Sequence, residues 1–220
     1  MNLHEAKLLA ESVKIEGQKG SSTTQVATTK STYVKSGKDL KDKIPHDAKV
    51  LNYGAGLDHT SEGIKEGLGE GKHTVHDYEP FPERRKAKPT YTDSSEIPNN
   101  HYHAVVCHNV LNVVQPHIRH AITKHIFDTM KEGGVAHIGT RKYKGDIDQA
   151  KNASPASDED KALWIHKKGG DVYQKGFDGD ELKQYVESQA KKHGHQVEVK
   201  KNNMAANGVE VKMIKKGDSK

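Results

Sequence analysis

Apolar positions are sparse before residue 48 and dense from Val50 to Thr140, where short runs alternate with spaced stripes. Val50 to Tyr53 reads as a strand, followed by a helix over Thr60 to Leu68 that is weakened by Gly63 and Gly67. Lys72 to Asp77 reads as a second strand ending in the turn YEPFP, and Tyr91 and Thr92 as a short third. Tyr102 to Cys107 (YHAVVC) is a continuous apolar run, which suits a parallel sheet covered on both faces. Ile118, Ile122, Ile126 and Met130 recur every four residues and predict one helix stripe, stopped by Gly133-Gly134. Val135 to Thr140 returns as a strand. Leu182, Tyr185, Val186 and Gln189 fit a helix starting after Asp180, and Gln196 to Lys200 with Val209 to Ile214 fit a closing antiparallel pair.

Strands alternating with helices predict right-handed crossovers and a Rossmann-like α/β sheet in three layers, mostly parallel with an antiparallel pair at its C-terminal end. The division expected is a polar, basic segment over 1–47 and an α/β domain over 48–220. The first 47 residues and Gly145 to Asp160 are polar enough to be read as loops.

Charge and composition narrow the function classes. With 35 basic and 30 acidic residues, the net charge of +5 describes a mixed, solvated surface. Lys30, Lys35, Lys38, Lys41 and Lys43 cluster upstream of the first strand and keep nucleic acid open as a partner, although no RNA-module signature accompanies them. A single cysteine excludes an internal disulfide and a cysteine-based zinc site. The 15 histidines are scattered and form no HExxH pair, so no metal is expected. No apolar run of about 18 residues occurs and the start lacks a signal-peptide core, so the expectation is a cytoplasmic protein without a membrane partner.

The stretch KVLNYGAGLDH, from Lys49 to His59, is a strand emptying into a glycine turn. Such a turn lets backbone N–H groups approach a ligand closely. It lacks GxxxxGK[ST] for a triphosphate, and the third glycine of GxGxxG for a dinucleotide. A short GxG suits a nucleoside ligand without pyrophosphate. An acid at the end of the second strand, Glu79 or Asp77, could then accept hydrogen bonds from both ribose hydroxyls.

The order of these landmarks resembles the class I S-adenosylmethionine-dependent methyltransferases. VLNYGAG is similar to their first motif, VHDYEPF to the second strand with its ribose-binding acid, TDSSEIPNNHYHAVVCHNVLNVV to the third and fourth motifs, and MKEGGVAHIGTR to the glycine turn and fifth strand. The resemblance spans roughly residues 48 to 141 and implies S-adenosyl-L-methionine as cofactor. It places Tyr53, Gly54, Ala55 and Gly56 at the methionine end, Glu79 in preference to Asp77 at the ribose, and Asp93 and Ser94 at the adenine edge. An Asx-turn is the alternative for Asp93 and Ser94. Asn52 departs from the family, where an acid commonly stands before the glycine turn.

The same resemblance puts Cys107-His108-Asn109-Val110 beside the transferred methyl, with His108 a candidate base and cofactor contact and Asn109 a candidate for orienting the nucleophile. The DPPY tetrapeptide of amino-directed DNA methyltransferases and the Pro-Cys pair of the cytosine-C5 enzymes are absent, and the layout is similar to compact phage and bacterial methyltransferases. Two segments, Thr28 to Tyr33 with Lys30 and Tyr33, and Val172 to Phe177 with Tyr173 and Lys175, are candidates for an active-site cover. The acceptor is open between nucleic acid and a nucleotide-related small molecule. A non-catalytic nucleotide or nucleic-acid binding module and, less readily, an NAD-dependent oxidoreductase are the competing readings.

Overall fold

The computed structural model describes residues 29–168 and 170–214. In chain order the elements are α1 (Lys30–Lys41), β1 (Lys49–Tyr53), α2 (His59–Leu68), β2 (Thr74–Tyr78), β3 (Tyr102–His108), α3 (Pro116–Thr129) and β4 (Met130–Thr140), then β5 (Ala153–Pro155), β6 (Ala162–Ile165), β7 (Val172–Lys175), α4 (Glu181–Lys192), β8 (Val197–Asn202) and β9 (Asn207–Met213). The main sheet has the order β2-β1-β3-β4-β9-β8. Its first four strands are parallel; β9 runs antiparallel to β4, and β8, antiparallel to β9, runs in the same direction as the first four. This is the mixed Rossmann-like sheet in an α/β/α sandwich that the alternation of strands and helices predicts.

Side chains alternate across each strand, and that alternation builds two cores. Leu51, Tyr53, Val105, Cys107, Ala136 and Ile138 face α3 and α4, packing with Ile118, Ile122, Ile126, Leu182 and Val186. Val50, Ala104, Val106 and Val135 face the other way, against Tyr33, Leu40, Ile64 and Leu68 of α1 and α2. The order reverses at β1, whose two neighbours β2 and β3 follow it in sequence. A ligand crevice in such a sheet opens at the carboxyl ends of the strands flanking that reversal.

Several expectations need correction. Residues 30–41, read as loop, form α1, which buries Tyr33, Ser36, Gly37 and Leu40. Its packing partner explains the glycines of α2. A Cβ on Gly67 would overlap the Val34 carbonyl oxygen, one on Gly37 the Ile64 carbonyl oxygen, and one on Gly63 would lie 2.8 Å from the Lys30 carbonyl oxygen. Gly63 and Gly67 therefore let two helix backbones touch; their cost in helix propensity is offset by a close crossing.

The helix α3 ends at Thr129 because Met130 is already extended, with φ −75° and ψ 143°. Gly133-Gly134 does not stop the helix. It lies in an irregularity of β4, where the pairing jumps from Tyr102↔Met130 to Ala104↔Val135 and Gly133 takes φ 76°. The short third strand is reduced to a single parallel bridge between Tyr91 and Tyr78. Within Gly145 to Asp160, read as loop, Ala153–Pro155 pairs with β6, and β5-β6-β7 form a small separate antiparallel sheet. Short strands with few apolar residues carry too weak a periodicity to be separated from loop.

Candidate active site

The glycine turn leaves β1 with Gly54 at φ 68° and Gly56 at φ 60°, both in the left-handed region that favours glycine. A Cβ on Gly54 would run into Val110 Cγ2, so the turn and the segment after β3 are in close contact. The Ala55 amide donates to the Tyr78 carbonyl at 2.9 Å, which ties the turn to the end of β2. One residue further on, Glu79 is buried. Its Oε2 accepts from the Gly56 amide at 2.6 Å and its Oε1 from the Phe81 amide at 3.0 Å. Burial raises the Glu79 carboxyl to about 7 against the pull of those two amides.

Asp77 lies behind the turn in a knot of structural bonds. It takes Arg85 Nη2 at 2.6 Å, Asn52 Nδ2 at 3.4 Å and a short contact from Ser61 Oγ. Asn52 also donates to Thr60 and Ser61 at 2.9 Å each, so it pins the start of α2 to the end of β1. The Arg85 guanidinium, almost completely buried, also donates to the Gly56 carbonyl at 3.1 Å. Asp58 accepts from the Lys86 and Ala87 amides and closes the same loop over the turn. Arg85 is invisible in the sequence because nothing distinguishes it from Arg84 beside it.

The Tyr53 side chain points into the core, bonded to His125 Nδ1 at 3.0 Å, so at the turn this residue offers backbone only. Asp93 accepts from the Ser95 amide and hydroxyl at 2.8 Å, an Asx-type turn, while Ser94 is buried next to the Tyr78 phenol.

His108 closes β3 and is buried. Its Nε2 is 2.8 Å from Ser36 Oγ of α1, and Tyr33 packs edge-on against its ring at 5.3 Å. Burial, assisted by His137, lowers its pKa to about 3, so the ring is neutral at physiological pH. Asn109 turns the chain with φ 59°, and its amide donates to the Gly139 carbonyl at 2.8 Å.

The remaining candidates divide. Tyr33 reaches the site through His108, whereas Lys30 is exposed and 2.9 Å from Glu66. Tyr173 and Lys175 are buried in the small sheet: the Tyr173 hydroxyl donates to Glu159 at 3.1 Å, and Lys175 Nζ to Glu181 at 2.5 Å. That sheet is nevertheless docked over the strand ends. The Lys175 amide donates to the Asn112 carbonyl at 2.7 Å and the Phe177 amide to the Arg141 carbonyl at 3.2 Å. Arg119, fully buried on α3, joins both parts through Leu111, Val114 and Glu159. Of the basic cluster, Lys30 and Lys43 are engaged in ion pairs.

The expectation of no metal is overturned. Asp39, His137 and Glu210 bring three ligand atoms within 4.8 Å of one another, under α1 on the face opposite α3. Their separations in sequence, 98 and 73 residues, leave no motif to read. Among the described residues no helix is long and apolar enough to cross a membrane.

No family model and no curated protein matches the sequence. Solved structures match the fold. A S-adenosylmethionine-dependent methyltransferase from Clostridium acetobutylicum superposes with a TM-score of 0.58 at 13% identity, over 89% of this chain and 96% of that one. A sugar N-methyltransferase from a Streptoalloteichus species gives 0.57 at 11% identity, over 88% and 91%. The 1,6-didemethyltoxoflavin-N1-methyltransferase of Burkholderia thailandensis gives 0.53 at 13% identity, over 99% and 92%. The chain has the fold of the class I S-adenosylmethionine-dependent methyltransferases.

Proposed function

We propose that the protein is an S-adenosylmethionine-dependent methyltransferase acting on a small polar acceptor. The observation that carries this reading is the apposition of Glu79 and Gly56 across the ends of β2 and β1. A carboxylate has about four acceptor positions, and two are used here by amides, so capacity remains for ribose hydroxyls. The left-handed glycine turn beside it, its Ala55 and Gly56 amides held by Tyr78 and Glu79, brings backbone with little side chain to the same end of the sheet, where a ligand can approach closely. These residues fit a nucleoside carrying an amino-acid tail better than a dinucleotide, which needs a third glycine.

In this reading Gly54, Ala55 and Gly56 hold the methionine end, Glu79 the ribose and the Asp93-Ser94 turn the adenine edge. When bound, the cofactor supplies an electrophilic methyl group on a sulfonium. What the chain then contributes is alignment and exclusion of water. Asn109 would orient the acceptor. His108, neutral and held by Ser36, fixes the post-β3 segment rather than carrying a proton. The N-terminal end of α1 and the β5-β6-β7 sheet, meeting this segment from two sides, would cover the acceptor. That enclosure favours a small molecule over a nucleic-acid strand.

The test is calorimetric titration with S-adenosylmethionine, S-adenosylhomocysteine, NAD and ATP. Binding confined to the first two is expected; preference for NAD or ATP, or no binding of any of the four, would refute the assignment.

A further inference from the structure

Beneath α1, away from the glycine turn, the sheet carries a second polar cluster. His137 on β4 and Glu210 on β9 are direct cross-strand partners, so their side chains share a face. Asp39 lies three residues after Ser36 on α1 and completes the group. The His137 side chain is fully buried, and among the described residues neither ring nitrogen has a hydrogen-bond partner. Its Nε2 stands 2.9 Å from Asp39 Oδ2 and 3.5 Å from Glu210 Oε2, out of line with both. A buried imidazole ion-paired with two carboxylates but aligned for a hydrogen bond with neither is an arrangement that a cation between them would complete.

The spacing agrees. Around a four-coordinate ion with bonds of about 2.0–2.2 Å, ligand atoms sit about 3.3 Å apart, and the two measured separations bracket that value. One imidazole nitrogen and two carboxylate oxygens form a donor set for zinc or manganese; calcium takes about six to eight oxygens.

A cation of the protein's own already serves the two acids. Lys43 Nζ is 2.7 Å from Asp39 Oδ2 and makes a short contact with Glu210 Oε2. Its side chain is 35% exposed and flexible, so it can turn out to water. We propose that Asp39, His137 and Glu210 bind one divalent transition-metal ion, and that Lys43 neutralises the two carboxylates when the ion is absent. The bound ion ties α1 to β4 and β9. Because α1 also carries Ser36 and Tyr33 against His108, the site braces the helix that flanks the candidate active site. This inference stands apart from the methyltransferase reading, since none of the three ligands belongs to the proposed cofactor site.

Chelator-treated full-length protein is titrated with zinc, manganese or magnesium chloride by calorimetry, with thermal unfolding followed in parallel. Expected are one equivalent of zinc or manganese bound, a raised Tm, and no response to magnesium at the same concentration. Glu210→Gln should weaken binding by at least about tenfold, and Lys43→Gln should tighten it by about tenfold, because a competing ion pair is gone. His137→Gln should abolish it; should that buried substitution fail to fold, the two rim variants decide alone. No one-equivalent binding, or binding that Glu210→Gln and Lys43→Gln leave unchanged, overturns the proposal.

Discussion

Glu79 Oε2 accepts a 2.6 Å hydrogen bond from the Gly56 amide, joining the end of β2 to the glycine turn that follows β1. Asp77, two residues earlier on the same face of β2, is bonded instead to Arg85 and Asn52 behind the turn. One acid caps the glycine turn and the other holds the loop behind it.

Substituting them should therefore give opposite signatures. Glu79→Ala should weaken S-adenosylhomocysteine binding by roughly 10- to 100-fold, the loss of a charged hydrogen-bonding partner, with little loss of stability. Asp77→Ala leaves the buried Arg85 without its principal counter-ion and should cost about 3–5 kcal/mol of stability. Calorimetric titration and urea unfolding on both variants separate the two roles; equal loss of binding with unchanged stability for Asp77→Ala would exchange them.

Glu79 also sets a pH dependence. Its carboxyl is raised from 4.5 to about 7 by burial, so the folded state holds the proton more tightly than the unfolded chain. Stability of the ligand-free protein should fall as pH rises from about 4.5 to about 7, by on the order of 3 kcal/mol for this group. Hydroxyl donors prefer the ionised form, so affinity for S-adenosylhomocysteine should increase between pH 6 and pH 8. Titrations across that range should show the rise in wild type and a flatter profile in Glu79→Ala.

The seam between α1 and α2 predicts a substitution that defies helix propensity. Alanine at Gly67 favours an isolated helix by about 1 kcal/mol. Here its Cβ would overlap the Val34 carbonyl oxygen, and overpacking of this kind should give a net destabilisation of about 1–3 kcal/mol. Denaturant unfolding of Gly67→Ala reads it directly, and an unchanged or raised midpoint would mean that the helices do not touch there.

How far the sequence is legible depends on how local each signal is. The parallel core strands and the two long amphipathic helices announce themselves because burial on one or two faces imposes a period. The glycine turn and the neighbouring acid are legible for the same reason: both sit at strand ends whose position the pattern defines. Gly63 and Gly67 read as helix weaknesses because the residues they accommodate, Lys30 and Val34, lie in another element. Arg85, the Ser36–His108 bond and the Asp39–His137–Glu210 cluster are assembled from distant stretches, and a single sequence carries no periodicity for such meetings.

His108 should behave as a neutral, positioning group. With its pKa lowered to about 3 by burial and by His137, its ring should stay unprotonated from pH 8 down to pH 5. Nitrogen-15 chemical shifts of the His108 ring, followed through that range by NMR, should show no titration. A midpoint near 6.5 would restore His108 as a candidate base.

The most direct test of the central claim is a crystal structure of the protein with S-adenosylhomocysteine. Both ribose hydroxyls are expected within about 2.5–3.0 Å of the Glu79 carboxylate, with the amino-acid end of the ligand over Gly54 to Gly56. A ligand bound elsewhere, or a ribose facing away from Glu79, would contradict that claim.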